Sequence, residues 1–171
     1  WYAFGGIVVL VVAAFAMIAW GWIGYMPPIE DMENPKDKFA SEIYSSDMEV
    51  IGRFYQSKSN RVYVHYDEIS PYLVNALIAT EDIRFKDHSG IDVKALFRAF
   101  IKRGLLFQKS AGGGSTITQQ LAKLLYSPNA DNVVERLFQK PQEWVIAVQL
   151  ERFYTKEEIV NMYLNHFDFL N

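Results

Sequence analysis

The sequence of 171 residues contains no cysteine, and this absence limits the sites that it can build. A disulfide framework and a thiolate metal site are both excluded, although the cellular compartment stays open. The sequence also lacks an excess of positive charge, because its formal net charge is -3. A globally basic nucleic-acid-binding protein is therefore excluded, and we expect no nucleic-acid partner.

Residues 1–26 lack charged, amide and hydroxyl side chains other than those of tyrosine. At about 1.5 Å per residue, a helix of this length crosses a hydrocarbon core of roughly 30 Å with some tilt. Tryptophan and tyrosine lie near both ends, as at membrane interfaces, and Pro27 and Pro28 should stop the helix. We predict a transmembrane helix over residues 1–26. A cleaved signal peptide is the alternative, but the apolar run is long for one and no small-residue cleavage site follows it.

The rest of the chain divides into a linker and a folded domain. Residues 27–40 contain three prolines, mixed charge and no apolar periodicity, which is typical of a juxtamembrane linker. A domain is expected over residues 41–171, where three short β-prone stretches predict a hairpin or meander at residues 43–44, 50–55 and 61–65. Five helices should follow: one from Pro71, one over 93–107, one after Gly114, one from Pro141 and one from Thr155. The predicted fold class is mainly α with a small β-hairpin region.

Glu81 is one of 20 acidic residues, and its place on the first of these helices distinguishes it. It follows Leu77 by four residues and precedes Phe85 by four, so it should lie on an apolar face. Partial burial would raise the pKa of this carboxyl toward the range useful for a general acid or base. The alternative is an ordinary surface acid paired with Arg84 or Lys86.

A glycine-rich loop, residues 112–114, precedes the third predicted helix. Free backbone N–H groups, the hydroxyls of Ser115 and Thr116, and the positive end of the helix dipole form a combination that binds phosphate. Lys123 lies two turns further on and could add positive charge. Thr116 with Gln119 also fits an ordinary capping box, so a purely structural interpretation stays open.

Two further segments combine charge with helical pattern. Lys140 and Glu143 flank Pro141, where an acid is favoured by the helix dipole alone, and Arg136 upstream is equally ambiguous. Residues 93–114 contain no acid and alternate basic with apolar side chains, which is typical of a helix at a lipid surface but also fits a core helix with a basic solvent face. The residues predicted to face lipid are Phe97, Arg98, Phe100, Ile101, Lys102 and Leu105.

Together these segments resemble the peptidoglycan glycosyltransferase family, the module of class A penicillin-binding proteins and of monofunctional transglycosylases. Its first motif, E-D-x-x-F-x-x-H-x-G, is matched by Glu81, Asp82, Phe85, His88 and Gly90. Its second, G-x-S-T-x-T-Q-Q, is matched by Gly113, Ser115, Thr116, Thr118, Gln119 and Gln120. Its fourth, K-x-x-I-x-x-x-Y-x-N, is matched by Lys156, Ile159, Tyr163 and Asn165.

The third motif, R-K-x-x-E, is matched only by Lys140 and Glu143. Gln139 stands where the arginine is expected, and Arg136 could supply that charge from one turn away. The sequence ends before a fifth motif, so we expect the domain to be incomplete at its C-terminal end.

The resemblance implies a lysozyme-like lobe that polymerises lipid II by inverting transfer onto the 4-hydroxyl of N-acetylglucosamine, with Glu81 as the base. It places the leaving pyrophosphate near Ser115, Thr116, Gln119, Lys123, Arg136 and Lys140. Glu143 is the family's second acid, which orders these basic residues or a divalent cation such as Mg²⁺ or Mn²⁺.

The other implied partners are the growing glycan chain, the bilayer and a phosphoglycolipid inhibitor. The implied location is the bacterial cytoplasmic membrane, crossed once, with the catalytic domain on the outer or periplasmic side. A lytic hydrolase of the lysozyme type and an inactive scaffold that binds lipid precursor are the alternatives.

Overall fold

The structure, a computed structural model, describes residues 1–22, 26–33, 41–54, 62–105, 113–127 and 133–167. These ranges are mainly helical, which confirms the predicted fold class, and they contain one two-stranded sheet. The helices are α1 (Tyr2–Ala19), α2 (Ile29–Glu33), α3 (Pro71–Glu81), α4 (Val93–Ala99), α5 (Ile117–Tyr126), α6 (Val133–Phe153) and α7 (Lys156–His166). The strands are β1 (Ser41–Tyr44) and β2 (Val50–Phe54).

Helix α1 is shorter than the segment predicted to cross the membrane. It ends at Ala19 because Gly21 adopts a positive φ of 72°, which turns the chain before the two prolines are reached. By length and composition α1 can still cross a membrane. Its C-terminal part packs against α6, where Phe15 stacks on Trp144 with ring centroids 6.2 Å apart and Ile18 is buried.

Helix α2 lies within the predicted linker and is attached to the domain. The side chain of Met32 is only 1% exposed and belongs to the main hydrophobic core. The Tyr126 hydroxyl donates a hydrogen bond to the Asp31 carbonyl at 3.0 Å, and the Tyr154 hydroxyl donates one to the Met32 carbonyl at 2.6 Å. Residues 29–33 therefore form a docked segment, while residues 34–40 lie outside the described ranges.

Strands β1 and β2 pair antiparallel, which confirms the predicted hairpin. The third β-prone stretch is not a strand in its described part, residues 62–65. Instead, the side-chain amide of Asn165 accepts a hydrogen bond from the Val64 N–H and donates one to the Val64 carbonyl, each at 2.9 Å. One side chain thus supplies the contacts that a neighbouring strand would make.

Four of the five predicted helices begin where the sequence indicates. Helix α3 has Pro71 in its first turn, α5 follows the glycine-rich loop, and α7 begins after Thr155, with Glu158 completing a capping box. Helix α4 also begins at Val93 as predicted, but it gives way to a π-helix over Phe100–Leu105.

The prediction that a helix begins at Pro141 is wrong. Helix α6 begins at Val133 and contains Pro141 in its interior. An interior proline removes one helical hydrogen bond and costs roughly 3 kcal/mol. The turns after it bury Ile146, Ala147 and Leu150 almost completely. This burial, which the local sequence does not reveal, outweighs the cost of the proline.

The core forms where α5 packs against both α6 and α7. Ile117, Leu121 and Ala122 of α5 are fully buried, facing α6 and α7. The N-terminal end of α5 is therefore fixed in position, and the glycine-rich loop that precedes it is held on the core.

Candidate active site

Glu81 is the last residue of α3 and lines a cavity of about 330 Å³. Gly113, Gly114 and Ser115 line the same cavity, so the structure brings the first predicted carboxylate to the predicted anion-binding loop. The burial predicted for Glu81 is wrong. The buried face of α3 consists of Val74 and Leu77, and the Glu81 side chain beyond it is exposed.

The carboxylate of Glu81 is bound to a neighbouring helix. The side-chain amide of Gln120 on α5 donates a hydrogen bond to Glu81 Oε2 at 2.8 Å. The Tyr163 hydroxyl on α7 in turn donates one to Gln120 Oε1 at 2.9 Å. Burial, together with the negative charge of Glu81, raises the pKa of Tyr163 to about 12, so this hydroxyl keeps its proton at neutral pH.

Asp82 connects the end of α3 to the start of α5. Its buried carboxylate lies 3.0 Å from Nε2 of His88 and accepts a hydrogen bond from the Ile117 N–H at 3.2 Å. A carboxylate is stabilised at a helix N-terminus by the unpaired N–H groups and the dipole. Asp82 and His88 of the first motif therefore position the helix that carries the second motif.

The carbonyl oxygen of Gly90 holds the glycine-rich loop from the other side. It accepts hydrogen bonds from the Thr116 hydroxyl at 2.7 Å and from the Gln119 side-chain amide at 3.1 Å. Thr116 also caps α5 by accepting from the Gln119 N–H at 3.1 Å, but the Gln119 side chain binds Gly90, so only the first half of the predicted capping box forms. Both side chains are buried, and in this arrangement they position the loop.

Lys140 and Glu143, the two matched residues of the third motif, form an ion pair. Glu143 is 2% exposed, and Lys140 Nζ lies 2.6 Å from its Oε2. Lys140 Nζ also donates to Ser115 Oγ at 3.4 Å, and Ser115 lines the Glu81 cavity. The structure thus links the third motif to the glycine-rich loop through Ser115.

The remaining predicted phosphate ligands include Lys123 and Arg136. Lys123 is exposed on α5. The side chain of Arg136 lies outside the described part of the chain, as does Gly112. Gln139, which replaces the motif arginine, is partly buried.

Sequence reasoning missed an ion pair in the Glu81 cavity. Arg84 donates to both carboxylate oxygens of Asp92, which is also the N-cap of α4. Burial acts to raise the pKa of Asp92, but the Ala95 N–H, Arg84 and His88 outweigh it and hold this pKa below its ordinary value. An aspartate directly before a helix is a capping pattern that could have identified Asp92.

Arg98 also lines this cavity, although the sequence assigned it to the lipid surface. Phe97 and Phe100 are 66% and 65% exposed, and Lys102 is exposed, as a lipid-facing surface requires. Ile101 is partly buried, and the side chain of Leu105 lies outside the described residues. Lipid contact stays a prediction.

Lys156 of the fourth motif contacts two residues of the first motif. Its ammonium group donates to the His88 carbonyl at 2.6 Å and lies 4.2 Å from the centre of the Phe85 ring. It also contacts Glu151 at 2.8 Å, and the Thr118 hydroxyl donates to the same carboxylate at 2.6 Å. Glu151 is separated from Thr118 by 33 residues, so no local pattern predicts this contact.

The divalent cation implied by the resemblance is expected at Glu143. Glu143 is a single carboxylate already paired with Lys140. Within the described ranges, one group of three candidate ligands is close enough, namely Asp82, His88 and Asp92. Arg84 already compensates the charge of Asp92, however. The divalent cation therefore stays a prediction.

Comparison with known proteins finds similarity to transglycosylases and penicillin-binding proteins. The transglycosylase family model matches residues 47–171. Penicillin-binding protein 1A of Escherichia coli is 36% identical over 141 residues, which cover 82% of this chain and 16% of that protein. Penicillin-binding protein 1A of Aquifex aeolicus is 36% identical over 170 residues, covering 94% of this chain and 22% of that protein.

A shorter relative is similar to a smaller share of this chain. The biosynthetic peptidoglycan transglycosylase of Nitrosomonas eutropha is 44% identical over 109 residues, covering 64% of this chain and 43% of that protein. The chain therefore spans less than half the length of each of these three relatives.

Proposed function

Because the chain belongs to the transglycosylase family, the glycosyltransferase module of class A penicillin-binding proteins and monofunctional transglycosylases, we propose that it acts in peptidoglycan glycosyltransfer. Its substrate in this proposal is lipid II, which it polymerises into glycan strands. The observation that carries the proposal is the cavity in which Glu81 faces the glycine-rich start of α5. A proton acceptor and an anion-binding loop in one cavity are what transfer of a sugar from a pyrophosphate requires.

Glu81 acts as the general base. The 4-hydroxyl of the acceptor N-acetylglucosamine attacks C1 of the donor N-acetylmuramic acid, and its proton passes to the Glu81 carboxylate. A new C1–O bond forms while the bond from C1 to the pyrophosphate oxygen breaks, so the configuration at C1 inverts. The polyprenyl pyrophosphate leaves with the bonding electrons. Exposure of Glu81 to the cavity gives an incoming hydroxyl access to the carboxylate.

The glycine-rich loop and the cations near it stabilise the negative charge that develops on the leaving group. The ammonium group of Lys140 reaches this loop at Ser115, whose Oγ lies 3.4 Å away. Glu143 orders Lys140 from the buried side. Arg98 adds positive charge at the cavity, and Lys123 and Arg136 are further candidates. Thr116 and Gln119 contribute by holding the loop on Gly90.

The membrane presents the substrate. The polyprenyl tails of the donor and the acceptor keep both sugars at the bilayer surface. In this proposal α1 crosses the bacterial cytoplasmic membrane once, and the catalytic domain lies on its outer or periplasmic side. The exposed side chains of Phe97 and Phe100 beside Lys102 give the domain an apolar and basic surface suited to anionic lipid.

The decisive experiment measures polymer formed by the full-length protein from lipid II in detergent or vesicles. We expect Glu81→Gln to lower the rate by about 10²–10⁴-fold, the usual contribution of a general base. Glu49→Gln is the matched control, since Glu49 is an exposed acid on the β1–β2 turn away from the cavity, and it should leave the rate unchanged.

Two outcomes would contradict the proposal. Release of short sugars from finished glycan, without polymer from lipid II, would indicate a lytic hydrolase. Normal binding of lipid II with no polymer from the unaltered protein would indicate a scaffold that binds precursor.

The divalent cation is tested in the same assay by adding EDTA and then restoring Mg²⁺ or Mn²⁺.

A further inference from the structure

We propose that Tyr163, acting through the side-chain amide of Gln120, is a positioning residue that holds the Glu81 carboxylate in place for proton transfer. This inference rests on the glycosyltransferase function proposed above and adds a role for two residues that contact neither sugar in that mechanism.

Three helices contribute one member each to this chain of hydrogen bonds. Tyr163 lies on α7 and is 1% exposed, Gln120 lies at the start of α5, and Glu81 ends α3. The two hydrogen bonds measure 2.9 Å, from Tyr163 to Gln120 Oε1, and 2.8 Å, from Gln120 Nε2 to Glu81 Oε2. Both lengths are normal for strong hydrogen bonds.

The direction of the chain is set by the Glu81 carboxylate. An ionised carboxylate only accepts hydrogen bonds, so it takes the NH₂ end of the Gln120 amide. Gln120 Oε1 then faces Tyr163, whose hydroxyl donates to it. Because burial and the Glu81 charge raise the pKa of Tyr163 to about 12, the hydroxyl stays a donor throughout the pH range of an assay.

Glu81 needs such support because of its position. It is exposed and is the final residue of α3, so its own helix contributes little to fixing the side chain. The contribution of a base depends on its placement relative to the proton that it takes. The loss of one hydrogen bond from the chain should therefore lower the rate of the chemical step by about 2- to 12-fold.

A purely structural role for Tyr163 is the competing explanation. Its ring stacks on Phe167 with centroids 5.0 Å apart and belongs to the hydrophobic core. Tyr163→Phe keeps the ring and removes only the hydroxyl, so it separates packing from positioning. Tyr154→Phe is the matched control: it also removes a hydroxyl that donates a hydrogen bond, in this case to the Met32 carbonyl and not to the Glu81 chain.

The experiment measures kcat and KM for lipid II with the full-length protein, together with the melting temperature of each variant. We expect Tyr163→Phe to lower kcat about 2- to 12-fold with KM unchanged, and Tyr154→Phe to leave kcat unchanged. In a Gln120→Leu background, Tyr163→Phe should cause no further loss, because the chain is already broken.

Three results would overturn the proposal. The first is an unchanged kcat in Tyr163→Phe, and the second is an equal loss of kcat in Tyr154→Phe. The third is a full additional loss when Tyr163→Phe is combined with Gln120→Leu. These outcomes leave the glycosyltransferase function intact, whereas an unaltered protein that makes no polymer overturns that function as well.

Discussion

Replacing Gly90 with alanine should destabilise the domain, because two separate features of the structure exclude a side chain there. Gly90 has a φ of 87°, in the region that L-residues with a Cβ rarely adopt. A Cβ at this position would lie 2.8 Å from both the carbonyl carbon and the carbonyl oxygen of Ala147. These are backbone atoms inside α6, so they cannot turn aside as a flexible side chain would.

The two effects add to a measurable loss of stability. Placing alanine at positive φ costs about 1–2 kcal/mol. Overpacking against a rigid neighbour costs about 1–3 kcal/mol more, so the free energy of unfolding should fall by about 2–5 kcal/mol. For a chain of this size, each kcal/mol corresponds to about 2–4 °C, and the melting temperature should fall by about 4–20 °C.

Thermal unfolding of the full-length protein in detergent measures this change. Gly52→Ala is the control, because Gly52 lies on β2, where a Cβ would meet no atom of the described residues within 4 Å. A melting temperature for Gly90→Ala within about 2 °C of that control would refute the steric reasoning.

Gly90→Ala should also lower polymerisation at temperatures where the variant stays folded. Its carbonyl binds both Thr116 and Gln119, so a shift of this backbone displaces the glycine-rich loop.

Three other changes test separate parts of the structure. Lys140→Ala leaves the buried Glu143 carboxylate without its cation and should lower the free energy of unfolding by about 1–3 kcal/mol in denaturant titrations, with part of the loss recovered by adding Glu143→Gln. Asp92→Asn should lower stability at pH 7, and the difference should shrink below about pH 4. Folding lowers the pKa of the Asp92 carboxyl, so its ionised form stabilises the fold above the pKa of the unfolded state, and this stabilisation disappears as the pH falls through the pKa of the folded state. In thermal melts, a difference in stability between the two proteins that grows toward acid would contradict this reasoning. Asn165→Ala should speed amide hydrogen exchange at Val64, whose N–H loses its acceptor, and an unchanged exchange rate would contradict the assigned contact.

Local patterns predicted the elements whose signals are contained in a few neighbouring residues. The capping box at Thr155 and the proline at the start of α3 marked helix starts correctly. Two β-prone stretches with a polar turn between them predicted the hairpin. Pro141 misled the same reasoning, because the packing of α6 against α5 is a tertiary effect that outweighs a local preference.

The site was predictable as a set of residues but not as an arrangement. The motifs singled out Glu81 and the glycine-rich loop, which the structure places at one cavity. Periodicity placed Glu81 on an apolar face, but α3 ends at Glu81, and the side chain is exposed beyond the buried Val74 and Leu77. The bonds from Gly90 to Gln119 and from Tyr163 to Gln120 join residues far apart in sequence, and no spacing rule indicates them.

The docking of α2 has a consequence for how this protein tolerates sequence change. Apart from Met32, the attachments described for this segment end on main-chain carbonyls, which every amino acid possesses. Substitution of the polar residues of α2 should thus leave the hydrogen bonds from Tyr126 and Tyr154 in place. Loss of either tyrosine hydroxyl removes one of these hydrogen bonds, whatever the sequence of α2. The side chains that attach α2 to the domain are therefore Met32 itself and two tyrosines, Tyr126 and Tyr154, about a hundred residues downstream. A segment of different sequence could replace α2 if it kept an apolar side chain at the position of Met32.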